Sequence, residues 1–121
     1  MTSYKRGDVV LVPFPFTDLT TVKQRPALVV SSSRFNSAQE DAIVVAITSN
    51  ITKRRGKHHE YRIKGVEQRA SGLPKEGVAL CGKIITIDQR LIRTKLGALP
   101  RGAVGRVVEG VNAIIGEQQA G

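Results

Sequence analysis

The sequence predicts a mainly β, α+β fold: a small, strongly bent antiparallel sheet or barrel with a C-terminal α-helix. Three observations lead there. Apolar residues come in short runs rich in β-branched side chains and bounded by Gly, Pro, Ser, Asn or charges, the pattern of strands. Helical periodicity is clear in only one stretch, near the C-terminus. The 121 residues leave room for one domain, 1–121, without repeat or linker. A chain of this size buries about two thirds of its unfolded surface, so a core needs neither disulfide nor metal.

The elements follow in order. Gly7-Asp8 opens Val9-Val10-Leu11-Val12, and Pro13 and Pro15 are expected to end this first strand, since neither can donate to a ladder. A polar loop from Leu19 to Gln24 leads to Arg25-Pro26. Pro26 restricts Arg25 to extended geometry, and Ala27-Leu28-Val29-Val30 follows as a buried strand closed by Ser31-Ser32-Ser33. Ala42 to Ile47 is the longest apolar run and so the expected central strand, emptying into Thr48-Ser49-Asn50. Glu60-Tyr61-Arg62-Ile63 alternates polar and apolar, as an edge or one-sided strand would. Gly77 to Cys81 and Ile84 to Ile87 flank Gly82-Lys83, where a Gly inside a strand pattern signals a bulge. Leu91 to Leu99 reads ambiguously. Val104, Val107, Val108, Val111, Ile114 and Ile115 share one face of a helix, with Pro100 near its start and Gly116 at its end. Gly105 and Gly110 within it cost roughly 1 kcal/mol each against Ala, so this helix relies on packing.

Composition excludes several classes of function. With 19 basic against 10 acidic residues the formal charge is +9, and a polyanionic partner is the leading inference. The charge is concentrated: Lys53 to Arg69 carries seven basic and two acidic residues, a local excess of five. Read only as solvated surface, Thr52 to His59 would serve solubility; read as a field, it attracts phosphates and releases their counterions. Three Phe, two Tyr and no Trp argue against a sheet that binds single strands mainly by stacking bases. One cysteine and two histidines are too few for a four-ligand zinc site, and no metal or other cofactor is expected. The charged N-terminal turn is no signal peptide, and no apolar run approaches the roughly 20 residues of a membrane span, so a reducing cytoplasmic location fits.

No Walker loop, His-Glu-x-x-His or serine elbow is present. Polar groups gather instead at the ends of apolar strands: Arg25 before the second, Thr48 and Ser49 after the third, Lys83 in the bulge. An arginine fixed before proline is a preorganised cation suited to a phosphate or its transition state, and Thr48-Ser49 adds hydroxyls and backbone N–H groups. Taken singly, these residues read equally as a salt-bridging arginine and an ordinary strand-ending turn.

Together they carry a resemblance. Arg6-Gly7-Asp8-Val9-Val10, then Gln24-Arg25-Pro26-Ala27-Leu28-Val29-Val30, then Val45-Ala46-Ile47-Thr48-Ser49, and later Ile84-Ile85-Thr86-Ile87-Asp88 resemble, in order and spacing, the PemK/MazF family of toxins from type II toxin–antitoxin systems. The resemblance runs from Arg6 to the terminal helix. It implies an SH3-like barrel, a homodimer, and a metal-independent, sequence-specific endoribonuclease that cleaves single-stranded mRNA until the acidic C-terminal tail of a cognate antitoxin fills its groove; DNA would be met only through the antitoxin. By the family's pattern Arg25 matches the catalytic arginine and Thr48 the catalytic threonine. Ser49, Lys53, Arg54, Arg55, Lys57, His58, His59 and Lys83 are the expected RNA-binding residues.

Metal-free cleavage of RNA needs a base for the 2′-hydroxyl, a cation for the phosphorane, and a proton for the departing 5′-oxygen. Arg25 suits the second role and is a poor base. In one branch of the family an aspartate and an arginine near the fifth strand form the acid–base pair, and here that stretch reads Leu80-Cys81-Gly82-Lys83 without them. The base is therefore open, with Lys83, His58 and His59 as candidates. Tyr61 fits either base contact or core, and Cys81 reads as a small core residue. A non-catalytic nucleic-acid-binding toxin, or a gyrase poison on the same barrel, is the competing reading.

Overall fold

Strand β1 (Asp8–Pro15) begins where Gly7 turns the chain at φ 99°, a left-handed conformation that glycine adopts freely. The computed structural model describes residues 3–15, 22–51 and 59–117. Asp8 is buried beside that turn, where its carboxylate accepts from the Lys5 N–H at 2.9 Å and pairs with Lys95 at 3.2 Å. The remaining elements are β2 (Val22–Val29), α1 (Ser33–Ala38), β3 (Asp41–Thr48), β4 (Glu60–Ile63), α2 (Gly65–Ser71), β5 (Gly77–Asp88), a 3-10 turn (Gln89–Leu91), β6 (Thr94–Ala98) and α3 (Arg101–Ile115). All described strands form one antiparallel sheet in the order β4-β5-β3-β2-β1-β6. The expected central strand, β3, lies inside it, and β4 is an edge as its alternation indicated.

Several expectations need correction. The first strand does not stop at Val12 but pairs with β2 through Pro13 and Pro15. β6 reaches along β1 only as far as Leu11, so both prolines lie where β1 has one neighbour and a missing N–H costs little. Arg25 and Pro26 do not precede β2; they sit within it, opposite Val12 and Leu11. Ser31-Ser32-Ser33 does more than end a strand, because the Ser32 hydroxyl caps α1 by accepting from the Phe35 N–H at 3.1 Å. Helices α1 and α2 are six and seven residues long, under two turns, too short to show a periodicity. The ambiguous Leu91–Leu99 stretch resolves into the end of the 3-10 turn and β6.

The sheet buries both faces. One carries Val9, Leu28, Val45, Ile47, Ala79 and Cys81 against Ala103, Val104, Val107 and Val111 of α3. The other gathers Val10, Val12, Phe14, Ala27, Val29, Val44 and Ala46 with Ile87 and Ile92. The helical face of α3 is correct up to Val111, but Ile114 and Ile115 are 42% and 70% exposed. At that end α3 has reached the bulge of β5, where the Ile114 side chain lies over Gly82. The bulge itself is as expected: Val45 opposes Ile84 and Ala46 opposes Leu80, so residues 81–83 loop out of register with β3.

Candidate nucleic-acid interface and active site

Arg25 and Thr48 meet at one cavity. β2 and β3 pair from Val29–Val44 to Ala27–Ala46. Arg25 opposes Val12 of β1, while Thr48 opposes Val78 of β5 and Val78 opposes Arg62 of β4. Directly opposed residues share a face, so Val12 with Arg25, and Thr48 with Val78 and Arg62, lie on the face away from α3. Pro26 has no N–H to carry the β2–β3 ladder onward, and the ladder stops at Ala27. Past that point the strands part around a cavity of about 100 Å³ lined by Arg25, Pro26, Thr48 and Ser49 from one side and by Leu73 to Gly77 from the other.

Arg25 is half-buried, with its Nε out of solvent. The Thr48 hydroxyl oxygen accepts from the Asn50 N–H at 3.1 Å, which leaves its O–H to donate into the cavity. Gly77 lets the opposite wall close in: a Cβ there would lie 3.2 Å from the Thr48 carbonyl oxygen and 3.1 Å from an Ile47 methyl. Glu76, just before it, is a cavity residue that the sequence did not single out. Arg62 Nε donates to Glu76 Oε1 at 3.2 Å, and Nη2 lies at the same distance. The available signal was slight, an acidic residue in the turn Pro74-Lys75-Glu76-Gly77 leading straight into a strand.

Lys83 and His59 do not join that group. They line a separate cavity of about 260 Å³ at the bulge, with Glu60, Leu80, Gly82 and Ile114. Its two ends are coupled, since the Cys81 N–H donates to the His59 carbonyl at 3.1 Å. His59 has φ 65°, the one positive φ among described non-glycine residues. Lys53, Arg54, Arg55, Lys57 and His58 lie outside the described residues. Tyr61 belongs to the core side: it packs against the α3 cluster, and its phenol donates to Glu67 at 2.7 Å. Burial first, then that hydrogen bond and the Glu67 charge, push its pKa up to about 12, with Arg106 opposing. Cys81 is buried with its thiol toward the Val107 carbonyl, and burial pushes the thiol up from its ordinary pKa, as befits a core residue. Among the described residues no three His, Cys, Asp or Glu side chains cluster to hold a metal ion. No helix among them is long and apolar enough to cross a membrane.

A small, bent antiparallel sheet with a helix on one face and a cavity lined by Arg25, Thr48 and Ser49 at the strand ends defines the class, a compact β half-barrel. The family is also defined: the model of PemK-like, MazF-like toxins of type II toxin–antitoxin systems matches residues 5–115, and the chain belongs to that family. Solved structures share the fold. MazF from Deinococcus radiodurans superposes with a TM-score of 0.75 at 21% identity, covering 97% of this chain and 100% of that one. An endoribonuclease in complex with its cognate antitoxin, from a mycobacterial species, gives 0.75 at 18% identity over 97% and 99% of the two chains. The MazE–MazF complex of Deinococcus radiodurans gives 0.72 at 21% identity over 98% and 100%. No curated protein sequence matches the chain significantly.

Proposed function

We propose that this toxin is a metal-independent endoribonuclease that cuts single-stranded mRNA at specific sequences, with Arg25 and Thr48 as its catalytic residues. The observation that carries the reading is the cavity shared by Arg25, Thr48 and Ser49. At about 100 Å³ it has the volume of roughly three waters at ~30 Å³ each, a space for a phosphate rather than for a nucleotide. The scissile phosphate enters there with a non-bridging oxygen on the Thr48 O–H. The 2′-oxygen attacks phosphorus, negative charge grows on the phosphorane oxygens, and the Arg25 guanidinium, permanently charged and held by its strand, stabilises it. The P–O5′ bond breaks to leave a 2′,3′-cyclic phosphate and a 5′-hydroxyl end.

Ser49, Lys53, Arg54, Arg55, Lys57, His58, His59 and Lys83 hold the flanking strand, chiefly through its backbone phosphates. A homodimer sets two such sites along one groove, and a cognate antitoxin silences both by laying its acidic C-terminal tail where RNA lies. Antitoxin complexes of the similar folds support that partner. DNA is reached only through the antitoxin, and the toxin works in the cytoplasm. The test is incubation of long single-stranded RNA with the protein in EDTA: fragments with 5′-hydroxyl ends are expected, and Arg25→Ala should leave the RNA whole. Intact RNA beside a loss of gyrase supercoiling would favour the gyrase-poison reading.

A further inference from the structure

We propose that Glu76 is the general base of this site and that Arg62 positions it, an inference that rests on the endoribonuclease reading above. Cleavage needs a group that takes the 2′-hydroxyl proton, and the cavity walls hold few acceptors. A guanidinium and an ammonium offer donors only, which removes Arg25 and Lys75; the hydroxyls of Thr48 and Ser49 are weak bases. Glu76 carries the one carboxylate among the described residues lining that cavity. His59 lines the other cavity.

One oxygen of that carboxylate is engaged. Arg62 stands in the same cross-sheet row as Thr48, and both of its contacts, 3.2 Å each, fall on Glu76 Oε1. Oε2 is then the oxygen that accepts a proton. The Gly77 backbone, packed against the Thr48 carbonyl, fixes how far the Glu76 main chain stands from the catalytic strand. Side chains of Glu76 and Arg62 are 43% and 54% exposed, so the carboxylate is open to solvent and to a bound strand, and the pair adds little to stability.

The step balances as follows. Glu76 Oε2 removes the 2′-hydroxyl proton as the 2′-oxygen forms its bond to phosphorus. The P–O5′ bond breaks with its electron pair on O5′, which takes a proton from solvent water, and the hydroxide so formed recovers the proton from Glu76.

The test is single-turnover cleavage of a fluorescent RNA that the wild-type protein cuts, with affinity measured in parallel. Glu76→Gln, nearly isosteric, is expected to lower the cleavage rate about 10³-fold with RNA affinity within a factor of two, and Glu76→Asp to recover part of the loss. Formate should restore cleavage to Glu76→Ala, which an effect on folding alone would not show. Arg62→Gln should lower kcat several-fold with KM unchanged. Near-wild-type cleavage by Glu76→Gln, or a folded Glu76→Ala deaf to formate, overturns the assignment while leaving the nuclease intact. A wild-type protein that cuts no RNA overturns both.

Discussion

The two cavities flanking the first half of β5 differ in what positions their side chains. At the smaller one Arg25 and Thr48 are set by strand pairing, Arg25 against Val12 of β1 and Thr48 against Val78 of β5. At the larger one Lys83 and His59 are set by a bulge and by a single left-handed residue at the start of β4. A ladder fixes side chains through many cooperative hydrogen bonds, whereas a bulge re-aims a few at the cost of rigidity. On the proposed function the difference implies a division of labour: the paired strands hold the groups that would meet a transition state, and the bulge carries groups that would need only to track a strand of phosphates.

Substitutions separate the two. Arg25→Ala should have the largest effect, about a 10³-fold loss of cleavage measured by RNA end mapping, because no other guanidinium among the described residues lines that cavity. Thr48→Ala should cost about 10²-fold, as it removes one donor and leaves the cation in place. Lys83→Ala should act on binding: KM rises several-fold and the slope of log affinity against log salt falls by about 1, read by fluorescence anisotropy across a salt series. If Lys83→Ala matched Arg25→Ala in rate, the division would fail.

Smaller effects test the scaffold beneath the bulge. A Cβ on Gly110 would meet the buried Cys81 Sγ at 2.7 Å, so Gly110→Ala should destabilise by about 1–3 kcal/mol in urea unfolding despite its better helix propensity. Gly105, on the same helix, has open space for a Cβ, and Gly105→Ala should stabilise by up to about 1 kcal/mol. Smallest of all is a titration. Tyr61 is raised from 10.0 to about 12, so its neutral phenol contributes stability below pH 10 that is lost as pH rises toward 12. Absorbance at 295 nm should show this late titration, and Glu67→Gln should bring it down.

Much of this was legible in the sequence where a period or a forbidden conformation left a mark. β3, the bulge at Gly82 and the first three turns of α3 follow from apolar periodicity and one misplaced glycine. Arg25 and Thr48 were legible as strand-end polar groups, although their meeting at one cavity depends on a strand register that no local pattern encodes. Prolines misled at β1, because their cost depends on whether a neighbouring strand is present. Ile114 and Ile115 misled in the other direction: period placed them on the core face, and the sheet ends before it covers them. Glu76 was missed because its significance is wholly spatial, a turn residue brought beside Thr48 by Gly77.

The most direct measurement is the chemistry of the cut ends. Single-stranded RNA incubated with the purified toxin in EDTA should yield 5′-hydroxyl and 2′,3′-cyclic phosphate termini at recurring sequences, with Arg25→Ala and Thr48→Ala strongly slowed, Arg25→Ala the more so, at equal protein stability. RNA left uncut by wild type over varied sequences and salt, or cut as readily by Arg25→Ala as by wild type, would contradict an active site built on Arg25 and Thr48.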